Sequence, residues 1–252
     1  VKKLIAVVAP VCLVTASFAT NIAHDLSASN FSQDWSSTNL ITTSDSWSGV
    51  PSIMGYRGDG LAGVTGTDPQ LVISEGTAVV DVNANQNNPN SFGTGGVTEF
   101  DAVANPTIAL AGSSTAQAPN IVLYMNAAGR NNVTLSYTLR DLETGADDAD
   151  QAVALQYRIG NAGNFINVPS AFIADATAGA TAGPDTVVTA TLAAWDNISD
   201  LQLRIITTNA AGNDEWVGID NITVTSQAVP EPATMTILAG AATIAAFRRR
   251  KN

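Results

Sequence analysis

The sequence predicts an all-β protein: a single antiparallel β-sandwich of jelly-roll-like form. Three observations carry that prediction. First, apolar residues alternate with polar ones in three runs: Val133, Leu135, Tyr137, Leu139; Val153, Leu155, Tyr157, Ile159; and Leu201, Leu203, Ile205. Period two buries one face of a strand and wets the other, as in antiparallel sheets. Second, no interior stretch repeats apolar residues at helical spacing over several turns. Third, the interior is rich in Thr, Val, Asn, Gly and Ala and poor in Lys, Glu and Leu, a composition that suits strands joined by turns.

The shorter elements follow in order. Asn30-Phe31-Ser32-Gln33-Asp34-Trp35 reads as the first strand. Further strands are expected at Leu71–Ser74, Thr77–Val82, Thr107–Ala111, Ile121–Met125, Phe165–Val168, Thr186–Leu192 and Trp216–Thr225. Turn formers fill Asn83–Gly96 and Ala176–Asp185, and the Asn-rich run Asn83 to Asn90 reads as one long loop. Neither a repeat nor a boundary divides residues 20–228, so they are expected to form one domain. Two packed sheets of this kind make a sandwich.

The two ends differ in character from this domain. Residues 1–19 read as a secretory signal peptide: Lys2 and Lys3, then apolar Leu4 to Val14, then small residues around Ala19. Cys12, the only cysteine, leaves with it, so the exported body has no disulfide and must rely on its core or a bound ion. Residues 229–252 begin with Pro230, Glu231 and Pro232, continue as apolar Ala233 to Phe247, and finish in Arg248, Arg249, Arg250 and Lys251. The prolines break any helix entering from the N-terminal side. The apolar span is short for a bilayer, and the cations after it hold that side in the cytoplasm.

This order of triplet, transmembrane sorting helix and arginine cluster resembles the PEP-CTERM sorting signal of Gram-negative bacteria. The resemblance implies an exosortase and the membrane as partners of the tail. It also implies an inner-membrane intermediate and a final place at the cell surface, the outer membrane or the extracellular matrix. Proteins of this kind accompany exopolysaccharide and biofilm systems, so extracellular polysaccharide is the ligand class that the resemblance suggests.

Charge narrows the partners. The formal net charge is −11, yet six of the eleven basic residues lie in the two ends. Between them stand only Arg57, Arg130, Arg140, Arg158 and Arg204, and no lysine. Such a body lacks the basic face that a phosphate backbone needs, which argues against nucleic acid.

Four places are candidate sites. In Asp214-Glu215-Trp216-Val217-Gly218-Ile219-Asp220-Asn221-Ile222, the phases of Val217 and Ile219 oppose those of Ile222 and Val224. Either Asp220 faces the core or a bulge lies beside it; both put a carboxylate where it needs a partner. The segment resembles the closing strand of jelly-roll carbohydrate-binding and adhesion modules. That resemblance implies a structural Ca2+ held by Asp220 with Asp34 and Asn30 near the first strand. Pairing with an arginine, or capping backbone amides, is the other reading. The acidic run Asp141 to Asp150 reads as a solvated hairpin loop or a loose calcium site, and its spacing fails the EF-hand pattern. Trp35, Trp47, Tyr56 and Trp195 are candidates for stacking on sugar rings or for places in the core. Arg57-Gly58-Asp59 lies among glycines and reads as a plain turn.

Catalysis has little support. His24 is the sole histidine and lies near the processed N-terminus, and HExxH, GxSxG and phosphate-loop motifs are absent. The leading expectation is therefore an exported, non-catalytic structural or glycan-binding protein. The alternatives are a carboxylate-dependent glycan hydrolase, which needs two facing carboxylates in a cleft, and a stand-alone accessory module of a secreted nuclease or phosphatase system.

Overall fold

The structure, a computed structural model, describes residues 22–144, 149–178 and 185–230. The signal peptide expected at 1–19 and the sorting tail from Glu231 onward lie outside the described residues. Among the described residues no helix is long and apolar enough to cross a membrane.

Thirteen strands are described: β1 (His24–Asp25), β2 (Phe31–Gln33), β3 (Ile53–Tyr56), β4 (Asn83–Gln86), β5 (Gly96–Phe100), β6 (Thr107–Ala111), β7 (Asn120–Asn126), β8 (Arg130–Asp141), β9 (Val153–Ile159), β10 (Ile166–Asn167), β11 (Thr186–Thr191), β12 (Leu201–Thr207) and β13 (Val217–Ala228). One sheet runs β1-β7-β12-β9-β10, with β3 also paired to β7. The other runs β11-β8-β13-β6-β5-β4, with β2 also paired to β13. Strands β6 to β13 pass between the sheets in the order β6-β13-β8-β11 facing β7-β12-β9-β10, which is the double-sheet arrangement of a jelly roll. Pairing is antiparallel except for β1 with β7 and β4 with β5.

The alternating runs do what their period dictates. Leu201, Leu203 and Ile205 of β12 and Val153, Leu155 and Tyr157 of β9 meet Val133, Leu135, Tyr137 and Leu139 of β8 in one core between the sheets. The polar face of β8 is open to water at Thr134 and Ser136, which bond across to Thr191 and Thr189. The polar faces of β9 and β12 are not wet. Gln156, Arg158, Gln202 and Arg204 are all buried, because residues 69–75 and Phe165 roof that side. Arg204 donates to Gln156 Oε1 and to the carbonyls of Ser74 and Val72, and both guanidinium groups stack on the Phe165 ring, at 4.4 and 3.8 Å.

That roof corrects two expected strands. Leu71–Ser74 gives way to a 3-10 turn at Pro69–Leu71, with Pro69 at its start and the Asp68 carboxylate accepting from Gln70 N. In Thr77–Val82 only Val80 makes a bridge, to Tyr56. Conversely, the run expected as one loop from Asn83 to Asn90 opens with β4, an edge strand whose irregularity falls at Asn85, φ 55°. Phe165–Val168 shrinks to β10, and β3 and β5 were not expected at all.

Candidate functional site: a polar trough at one end of the sandwich

Two clefts, of ≈ 440 and ≈ 520 Å³, open where β3, β6 and β8 end and β4, β5 and β13 begin. Both are walled by Gly93, Gly95 and Ser113, so they run together as one trough. Glycine makes the junction. A Cβ on Gly95 would strike the carbonyl of Gly112, and one on Gly112 would strike the backbone of Asn209. The floor is backbone against backbone, a contact that a larger residue forbids.

Two aromatic residues among those described line the trough, half-buried Phe92 and buried Trp216. Phe100 and Trp216 pack against Phe92, with ring centroids 6.2 and 5.8 Å away. Trp216 Nε1 donates to the Phe92 carbonyl at 2.9 Å. The chain reaches Phe92 through a 3-10 turn, Pro89–Ser91, capped by the Asn88 side chain. Thr144 N donates to Asn90 Oδ1 at 2.7 Å, which ties this turn to the segment after β8. Two fully buried rings therefore fix the angle of an accessible one, which is preorganisation.

Asp45, Asp81, Glu143 and Asp214 also line the trough. Asp81 is 7% exposed. Its Oδ2 accepts from Val97 N at 2.7 Å, and no hydrogen bond from the described residues reaches Oδ1. Burial, with a smaller push from Asp45, raises its carboxyl to about 6. Burial also raises Asp214, against the pull of the Ala210 amide at 2.7 Å. Among the described residues Arg57 is the one cation in the lining, and Asp59 grips it through two bonds of 2.7 and 2.6 Å. The Arg57-Gly58-Asp59 turn is thus closed on itself.

The sequence-predicted residues fall elsewhere. Trp35, Trp47 and Trp195 are buried in the core, so none has an open ring face to stack on a sugar. Trp35 Nε1 donates to the Ile219 carbonyl and Trp47 Nε1 to that of Asp81. Tyr56 is half-buried, its hydroxyl 2.8 Å from that of Tyr124 on the other side of the sheet from the core. His24 Nε2 bonds the Ser29 carbonyl, and His24 does not line the trough.

Asp220 lies beside a bulge: the register of β13 against β8 shifts between Asp220 and Thr223, with Asn221 at φ 50°. The bulge reconciles the opposed phases, since Ile219 and Ile222 both reach the core. Asp220 is 1% exposed. Its Oδ2 accepts from Asn105 at 2.6 Å and Arg140 at 3.5 Å, and its Oδ1 from Asn221 N at 2.7 Å. Burial raises its carboxyl against those three bonds, and Asp34 is close enough to add to the rise. Asn30 adjoins Phe31, which pairs with Val224; it stands five residues along from Asp220, on the order of 15 Å. Asp220, Asp34 and Asn30 therefore do not fit a calcium shell of six to eight oxygens. Among the described residues no three His, Cys, Asp or Glu side chains gather to hold a metal. In the acidic run, Gly145–Asp148 lie outside the described residues, while Asp141 is buried at the end of β8 and Glu143 faces the trough.

The trough was missed because its residues look ordinary in sequence. Phe92 sits in a run of Pro, Asn, Ser and Gly, and a lone aromatic among turn formers was the one available signal. Asp45, Asp81 and Asp214 are far apart in sequence and share no spacing.

Residues 228–251 match the PEP-CTERM protein-sorting motif. No curated protein sequence matches the chain significantly. Among solved structures, a carbohydrate-binding module specific for non-crystalline cellulose overlaps 58% of this chain and 97% of its own, at 11% identity and TM-score 0.38. A cyclase from Fischerella sp. TAU overlaps 81% and 100%, at 12% identity and TM-score 0.42. A mannan-recognising carbohydrate-binding module overlaps 52% and 80%, at 14% identity and TM-score 0.32. At such scores no shared function follows. The sorting motif implies export, passage through the membrane and processing by an exosortase in a Gram-negative bacterium. The molecule is an all-β, two-sheet sandwich whose residues 228–251 are a PEP-CTERM protein-sorting motif.

Proposed function

We propose that this exported protein is a non-catalytic polysaccharide binder, working at the cell surface or in the extracellular matrix, with the trough as its glycan site. The supporting observation is the pairing of a fixed, accessible Phe92 ring with a long, polar, glycine-floored cleft. A sugar ring offers one apolar face and a rim of hydroxyls. An aromatic ring takes the face, and hydroxyl, amide and carboxylate groups take the rim. Ser44, Asn83, Asn90, Ser113 and Asn213 supply hydroxyls and amides here.

A glycan array probed with the wild type and Phe92→Ala tests this reading. The wild type binds a definable set of glycans, and the variant loses about tenfold or more in affinity, roughly 1.4 kcal/mol, with unchanged circular dichroism. Equal binding by the two proteins, or binding to no glycan, contradicts it.

A second reading, hydrolysis, draws on one feature: Asp81, with its raised carboxyl, shares a cleft with Asp45. It predicts new reducing ends when the protein is incubated with the bound polysaccharide, abolished by Asp81→Asn. The binding reading predicts none.

A further inference from the structure

We propose that the trough selects glycans bearing free amino groups, such as partly de-N-acetylated amino-sugar polymers, over neutral and uronate-bearing ones; this rests on the trough being the glycan site. Two independent observations carry it. The first is the supply of cations. Between residues 20 and 228 there are five arginines and no lysine, and every arginine is occupied. Arg57 is held by Asp59, Arg130 by Ser226, and Arg140 by Asp220 and the Asn105 carbonyl. Arg158 is held by Glu75 and Gln202, and Arg204 by Gln156 and two carbonyls. Gripping a sugar carboxylate, sulfate or phosphate would mean breaking one of these pairs.

The second observation is Asp81 Oδ1. This side chain is more than nine-tenths buried, it lines the cleft, and one of its oxygens receives no hydrogen bond from the described residues. A neutral hydroxyl could donate to it, but an ammonium brings three donors and the opposite charge. Asp45 lies in the same cleft and Asp214 lines the adjoining one, so a chain of amino sugars laid along the trough meets carboxylates in both clefts. A uronate polymer laid there meets those carboxylates, and the guanidinium in the lining, Arg57, is already held by Asp59.

The test titrates the full-length protein near neutral pH with three probes: a glucosamine hexamer, its fully N-acetylated counterpart and an alginate oligomer. The glucosamine hexamer binds about tenfold or more tightly than the N-acetylated one, its affinity falls with added salt, and alginate does not bind. The variants Asp45→Asn and Asp81→Asn remove the preference while sparing binding of the N-acetylated hexamer. Asp45 is exposed, so its variant stands even where Asp81→Asn disturbs the fold. Equal or tighter binding of the N-acetylated hexamer or of alginate, lost in Phe92→Ala, overturns the charge preference and leaves the trough standing. Binding that persists in Phe92→Ala, or failure of all three probes to bind, overturns the glycan site together with the preference.

Discussion

Carboxylates decide much of this molecule's behaviour residue by residue, and their surroundings rather than their number set it. Glu99 stands opposite Ile108, on the face of β5 that looks into the core. Its Oε2 accepts from Asn85 N at 3.1 Å. Burial raises its carboxyl to about 7, with Asp101 adding to the rise. A carboxyl raised in the fold binds its proton more tightly there than in the unfolded chain. Stability therefore falls as pH climbs from about 4.5 to about 7 and then levels off. Asp81 acts in the same direction up to about 6. Urea unfolding at pH 5 and pH 8 checks this: Glu99→Gln is more stable than wild type at pH 8 by on the order of 2 kcal/mol and has a flatter pH profile. An unchanged slope would contradict the assignment. Asp220 carries a different expectation. Its oxygens are already taken by Asn105, Arg140 and Asn221, so the melting temperature is the same in calcium and in EDTA. A rise of several degrees with calcium would point to an ion bound by the native state. At this scale the sequence was legible for Asp220, whose need of a partner followed from the phase of its neighbours. For the tryptophans it left two readings, a sugar platform or a place in the core, and burial selects the core, because ring size says nothing about which side of a loop a ring faces.

Elements were legible where one rule governed them. The alternation in β8, β9 and β12 gave the core face of each strand, since burying one face fixes register. It failed on the other face of β9 and β12, where a roof of turns buries Gln156, Arg158, Gln202 and Arg204. Nothing in a strand's own period reveals what another segment lays over it. β4 and β5 were hidden for a related reason: their Asn, Gly and Glu residues are poor strand formers, and pairing of β5 with β6 and of edge strand β4 with β5 holds them in the sheet. In β13 the bulge reconciles two phases, and it needs a residue that tolerates positive φ at Asn221. Asn221→Gly therefore leaves stability within about 0.5 kcal/mol, while Asn221→Val costs roughly 1–2 kcal/mol, read from thermal or urea unfolding. Equal effects of the two would mean that the strand can discard its bulge.

The whole molecule joins an address to a surface. Residues 228–251 carry the sorting motif, and it follows directly upon β13, the strand that lies between β8 and β6. The trough collects residues from loops that the jelly-roll winding brings to one end, which is why no local sequence pattern announced it. The acidic body, with its arginines engaged internally, is the ground on which a neutral or cationic polymer is proposed as the partner. The most direct measurement is an amide chemical-shift map of the isotope-labelled protein titrated with a glycan that it binds. The trough account predicts shifts centred on Phe92, Gly93, Gly95 and Ser113. Shifts centred instead on Tyr56, Tyr124 and Arg158, across the roofed face of the other sheet, would contradict it.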